Sequence, residues 1–104
     1  MHKGSTPTYT FEFENLSLSG ITKLSVVFAQ NKEIVLEKGL NDVDILSDNK
    51  MSITLNEDET LKFKADNLRN AYVDVQFKFG YENKRIISDI VQVIIKPILK
   101  EDAL

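Results

Sequence analysis

A chain of 104 residues with 42% apolar and 28% charged side chains is material for a single domain, which by size scaling buries roughly two thirds of the surface its unfolded form exposes. A second core and intrinsic disorder are excluded together. Thirteen basic against sixteen acidic side chains leave a net charge of −3, too small a field to draw in a phosphate backbone or an anionic lipid surface, so neither nucleic acid nor membrane is an expected partner.

Along the chain, residues 1–7 are polar and are expected to form a flexible amino-terminal arm, ahead of a β-domain over 8–97 and a carboxy-terminal tail over 98–104. Tyr9, Phe11 and Phe13 alternate with Thr8, Thr10, Glu12 and Glu14, the period of a half-buried strand. Leu24, Val26 and Phe28 repeat it. The turn residues Gln30-Asn31-Lys32 separate that run from Ile34 and Leu36, which share one phase. Val43 and Ile45, between Asp42 and Asp44, give a short strand, Ser47-Asp48-Asn49-Lys50 a turn, and Met51, Ile53 and Leu55 the returning strand. Asn56-Glu57-Asp58-Glu59 has the spacing of a capping box and predicts one helical turn near Asn56–Thr60. Thr60-Leu61-Lys62-Phe63-Lys64 alternates again as a short strand, and a polar loop follows from Ala65 to Asn70.

The clearest alternation is Ala71-Tyr72-Val73-Asp74-Val75-Gln76-Phe77-Lys78-Phe79, apolar at every odd position. Gly80-Tyr81-Glu82-Asn83-Lys84 supplies turn chemistry, and Ile86 to Ile95 reads as the second strand of a long hairpin. Val and Ile together outnumber Leu, and only four Ala are present, which disfavours a helical bundle. About seven short antiparallel strands in about a hundred residues predict an all-β, two-sheet sandwich of immunoglobulin-like size. The Cys and Trp of antibody domains are missing. Tyr72 is a candidate tyrosine corner, but its polar phase favours surface exposure.

Catalytic and metal-binding material is scarce. The chain has no Cys, and its one histidine, His2, lies in the arm, so zinc sites and nucleophile–base pairs lack their residues and no enzyme activity or cofactor is expected. The four glycines are isolated at turns and build no phosphate loop. Asp42 and Asp44, with Asp48 near, offer a weak calcium alternative to a solvated strand edge. Glu57-Asp58-Glu59 is explained by the helix amino terminus rather than by acid–base catalysis. Lys84-Arg85 beside Tyr81, and Lys62 with Lys64, are read as a charged hairpin tip and a solvated face rather than a nucleic-acid surface. Asn15-Leu16-Ser17 matches a glycosylation acceptor, but with eight Asn about one chance match is expected, and the amino terminus lacks the apolar run of a secretion signal. No stretch approaches the roughly 18–20 apolar residues that cross a bilayer.

One anomaly remains. If Val91, Val93 and Ile95 face the core, Ile90 and Ile94 lie on the other face around Gln92, where a solvent-facing sheet carries polar groups. Ile98, Leu99 and Leu104 extend the apolar character past Pro97. Either the tail folds back over its own sheet, or Ile90, Ile94, Ile98 and Leu99 form a subunit interface.

The segments Gly4-Ser5-Thr6-Pro7-Thr8-Tyr9-Thr10-Phe11, Leu55-Asn56-Glu57-Asp58-Glu59-Thr60-Leu61-Lys62-Phe63 and Lys84-Arg85-Ile86-Ile87-Ser88-Asp89-Ile90-Val91 resemble a group of small immunoglobulin-like β-sandwich proteins encoded among the virion-structure genes of tailed phages and prophages of Gram-positive bacteria. The likeness spans nearly the whole chain; the amino-terminal domain of phage upper baseplate proteins is a more distant comparison. It implies a non-enzymatic structural or accessory protein of a neck, tail or baseplate, made in the host cytoplasm without a signal peptide and incorporated into virions. Its partners would be other virion proteins or copies of itself in a homo-oligomer. The group brings no catalytic or ligand-binding residues to positions here. The alternative function is a carbohydrate-binding or adhesive sandwich, for which Tyr72 and Tyr81 are the available rings.

Overall fold

The computed structural model describes residues 2, 4–64, 71–88 and 90–95. Within them the chain forms β1 (Thr8–Glu12), β2 (Lys23–Gln30), β3 (Glu33–Gly39), a 3-10 turn (Leu40–Asp42), β4 (Asp44–Ser47), β5 (Lys50–Thr54), α1 (Glu57–Leu61), β6 (Ala71–Gly80), β7 (Arg85–Ile87) and β8 (Val91–Ile95). All described strand pairs are antiparallel. One sheet has the order β1-β5-β4 and the other β3-β2-β6-β7, with β8 pairing the same edge of β6 as β7. The hairpins β2–β3, β4–β5 and β6–β7 stay within a sheet, whereas the chain changes sheets between β1 and β2, β3 and β4, and β5 and β6. The predicted all-β, two-sheet architecture is present.

The two sheets meet over the alternating residues. Leu24, Val26 and Phe28 of β2 pair opposite Phe79, Phe77 and Val75 of β6, so one face carries both sets and is driven out of water as a unit. Val26, Phe28, Met51, Ile53, Leu55, Phe63, Val73, Val75 and Phe77 are fully buried. Burial of each such side chain contributes roughly 1.5–3 kcal/mol. From the other sheet, Phe11 meets Phe77 edge-on at 4.9 Å, and Phe13 meets Phe77 and Phe79 at 5.0 and 5.2 Å. These T-shaped contacts set ring edges against ring faces.

The edge strands depart from the predicted alternation. Phe28 lies opposite Leu36 but Ala29 opposite Ile34, so Val35 is an extra, bulged residue and the phase flips. Leu36 is buried and Ile34 is 66% exposed; the two do not share a face. In β4, Ile45 opposes Met51 and Ser47 opposes Lys50, leaving Leu46 extra. That strand begins at Asp44, later than expected, because Asp42 is drawn into the 3-10 turn, where its Oδ2 accepts from the Gly39 N–H at 2.8 Å. The single strand predicted over Ile86–Ile95 is also corrected: it is two strands, β7 ending its pairing at Lys78–Ile87 and β8 beginning at Val75–Val91, with the register shifted between them. Ser88 makes this break. Its N–H donates to the Phe77 carbonyl and its Oγ accepts from the Phe77 N–H, so a side chain replaces one rung of the ladder.

Between β5 and β6, the predicted capping box forms: Asn56 Oδ1 accepts from the Glu59 N–H, and Glu59 Oε1 accepts from the Asn56 N–H. The strand predicted over Thr60–Lys64 does not form. The helix runs to Leu61, and Phe63 turns inward to lie 6.2 Å from Phe28. Two bonds fix this exit, from Gln30 Nε2 to the Lys64 carbonyl and from the Lys64 N–H to Gln30 Oε1. Buried Thr60 ties the segment to the amino terminus, its Oγ1 accepting from the Gly4 N–H and lying 2.9 Å from the Ser5 carbonyl. The polar loop expected over 65–70 lies outside the described residues. At the β2–β3 turn, Asn31 and Lys32 both have positive φ, the requirement of a type I′ hairpin.

Candidate interaction surface

Ile90 and Ile94, the exposed pair inferred from the last strand, are 59% and 41% exposed. Ile98 and Leu99 lie outside the described residues. Of the residues expected to face the core, Val93 is buried opposite Val73. The break at Ser88 adds residues to the outer strip that the sequence did not single out. Ile87 opposes the exposed Lys78 and is 62% exposed, and Val91, inward in phase, is 44% exposed because it borders an opening in the sandwich. The signal for the break was a polar pair, Ser88-Asp89, inside an otherwise β-branched run.

That opening is a cleft of about 410 Å³ between β1 and the β7–β8 edge. Its floor is made by Phe11, Phe13, Phe77 and Phe79, its walls by Ile86, Ile87 and Val91, and its polar rim by Glu12, Glu14, Asn15 and Ser88. Phe11 and Phe13 are only half-buried, since β1 is the edge of the smaller sheet and no described strand covers its outer side. Periodicity placed these rings in the core; the separation of the two sheet edges exposes their flanks.

The outer residues differ sharply from edge to edge. On β3, Glu33, Glu37 and Lys38 place charges along the edge, and on β1 Thr8, Thr10 and Glu12 face outward. Charged and polar side chains keep sheet edges from pairing with other chains. The outward positions Ile87, Ile90 and Ile94 of the β7–β8 edge carry no such charge.

Several of the remaining candidates are engaged in local bonds. Asp48 Oδ1 accepts from Ser17 Oγ at 2.6 Å and Asp42 caps its turn, so two of the three aspartates named for calcium serve separate local bonds; among the described residues no group of three or more metal-ligating side chains converges. Tyr81 donates its hydroxyl to the Ser17 carbonyl, and Lys84 Nζ lies 5.1 Å above its ring. Burial, then the Asp48 carboxylate, raises the Tyr81 pKa above its ordinary value. Tyr72 is 56% exposed, as its phase indicated. Partial burial acts to raise the Glu59 pKa, but the Asn56 N–H and the Lys38 ammonium 2.5 Å away outweigh it and hold the carboxyl below its ordinary range. Lys23, Lys78 and Arg85 gather around Gly80, a grouping that sequence order hid because the three come from three strands. A Cβ at Gly80 would lie 3.0 Å from that of Lys23. No helix among the described residues is long and apolar enough to cross a membrane. Comparison with protein-family models, curated proteins and solved structures finds no match to this chain.

Proposed function

We propose that this protein is a non-enzymatic assembly module that acts through protein–protein contacts along its β7–β8 edge. The observation that carries the reading is the run of Ile87, Ile90, Val91 and Ile94, each more than 40% exposed, on a sheet edge whose exposed charge, Arg85, stands at the start of β7, and beside an aromatic-floored cleft. Apolar side chains exposed in this number are costly in water and are characteristic of surfaces that become covered on association.

The finer architecture belongs to the same proposal. The sheet orders β1-β5-β4 and β3-β2-β6-β7 correspond to strands B-E-D and C′-C-F-G of an immunoglobulin-like sandwich, with the place of strand A unfilled among the described residues. The resemblance of the three quoted segments to virion-structure proteins of tailed phages supports a role as a neck, tail or baseplate component, with virion proteins or copies of itself as partners. The carbohydrate-binding alternative is disfavoured by the engagement of Tyr81 with Ser17 and Lys84.

The test is the solution mass by size exclusion with light scattering at tens of micromolar. A mass above that of one chain is expected, and Ile90→Ser with Ile94→Ser is expected to return the protein to a folded monomer. A monodisperse wild-type monomer overturns self-assembly, and failure to co-purify with virion proteins as well would overturn the whole reading.

A further inference from the structure

We propose that Lys23, Lys78 and Arg85 form a binding site for the phosphate group of a small molecule, seated over Gly80 on the outer face of the larger sheet. The site lies apart from the cleft and does not depend on the assembly reading. Strand register brings the three cations together. Gly80 of β6 pairs with Lys23 of β2 on one side and with Arg85 of β7 on the other, so the two basic residues flank it in one cross-strand row, each about 4.7–4.9 Å away between strands. Lys78 stands two residues back along β6, about 7 Å from Gly80 and on the same face. Phe77 and Phe79 turn into the core, so that face is the outer one, and all three basic side chains are exposed. They line one recess of about 490 Å³, together with Ser25 and Leu40.

Two features distinguish this recess from scattered surface charge. The first is Gly80. Its φ is not positive, so no backbone conformation calls for glycine there, and glycine within a paired strand weakens the strand and marks close approach by a ligand or another backbone. A Cβ at that position would lie 3.0 Å from the Lys23 Cβ and 3.6 Å from the Lys23 carbonyl oxygen. Without one, the Lys23 stem closes in and the floor between the cations stays open. The second feature is charge. No carboxylate lines the recess; Glu37 accepts from Ser25 Oγ at 2.8 Å and Asp42 from the Gly39 N–H at 2.8 Å. Lys23, Lys78 and Arg85 form no ion pair among the described residues. Like charges gathered without a counter-charge repel one another, and a bound anion relieves that repulsion.

Charge and shape select the ligand. A phosphate monoester carries roughly two negative charges at neutral pH and presents three acceptor oxygens. The planar fork of Arg85 matches two such oxygens, and the lysines supply point charges beside it. A carboxylate brings a single charge to three cations. A long polyanion meets the acidic remainder of a chain whose net charge is −3, which opposes its approach. The occupant is therefore a single phosphate group, with room for a small organic body along Leu40.

The test is titration of the full chain with inorganic phosphate at constant ionic strength, read by amide chemical shifts. Saturable shifts at Lys23, Gly80 and Arg85 in the millimolar range are expected, and none with acetate at the same ionic strength. Arg85→Gln and Lys78→Gln are each expected to weaken binding about tenfold, the loss of one charge-assisted bond, whereas Lys50→Gln on the other sheet is expected to leave it unchanged. Gly80→Ala is expected to weaken binding with all three cations retained. Because Lys78 and Arg85 are exposed, their variants keep the test decisive where Gly80→Ala disturbs the strand. Phenyl phosphate separates the two sources of the group: tighter binding than inorganic phosphate identifies an organic phosphate, and equal or weaker binding identifies free phosphate. Shifts that do not saturate, an equal response to acetate, or wild-type affinity in Arg85→Gln overturns the site, as does binding of an oligonucleotide where inorganic phosphate fails.

Discussion

The central strands β2 and β6 and the interrupted β7–β8 edge are written in the same apolar vocabulary but meet opposite fates. In the centre, alternation persists without interruption over the seven pairs from Lys23–Gly80 to Ala29–Asp74, and the inward side chains are buried in one cluster with Met51, Ile53 and Leu55. At the edge, one bulge shifts the register, and apolar residues emerge on the outer surface. A strand with neighbours on both sides has its phase held by two ladders, whereas an edge strand has one and accepts an extra residue more easily. Composition is thus a poor guide to burial at an edge.

The sharpest way to break this comparison is to remove a large side chain from each region. Phe28→Ala is expected to cost about 3–5 kcal/mol, because the fully buried ring contacts Phe63 and leaves a cavity behind. Ile87→Ser, at 62% exposure, is expected to change stability by no more than about 0.5 kcal/mol. Denaturant titration of both variants decides the matter; comparable losses would mean that the β7–β8 edge is packed as tightly as the centre.

A smaller effect tests the cause of the break. Ser88→Ala removes the Oγ that accepts from the Phe77 N–H and is expected to destabilise by roughly 1–3 kcal/mol through a stranded amide. Hydrogen exchange at Phe77 should accelerate by more than at Val75. Unchanged exchange would show that the backbone, not the serine, holds the bulge.

The smallest expected effect lies on the connection between the sheets. Because the Glu59 carboxyl is held below its ordinary value, its ionised form is bound more favourably in the folded state. The contribution is complete above the unfolded carboxylate range and disappears as pH falls through the lowered folded value. Glu59→Gln should therefore reduce stability slightly at pH 7 and flatten its decline under acid. Parallel acid profiles for the two proteins would remove Glu59 from the account.

How much of this was legible follows from where each signal resides. The helical turn was legible because Asn56 and Glu59 carry its caps within four residues of sequence. So were the buried Met51, Ile53 and Leu55, and the β2–β3 turn at Asn31 and Lys32. Ile34 was misplaced because its phase depends on Val35 bulging against β2, a pairing between strands. Local alternation assigns Phe63 to a strand, but its position follows from Gln30 gripping the Lys64 backbone across the fold. Of the candidate surface, Ile90 and Ile94 were visible as apolar residues in the wrong phase, while the cleft beside them was not, since it lies between two edges that no local pattern relates.

By itself, the sequence determined an all-β chain with one helical turn, a phenylalanine-rich interior and surplus apolar residues near the end of the described strands. These properties come from side-chain period, capping and composition, which act over a few neighbouring residues. The tertiary structure alone decided the order of strands, the bulges and the open flank between β1 and β7–β8. Those depend on which backbone edges find partners, and that is settled only when distant segments meet.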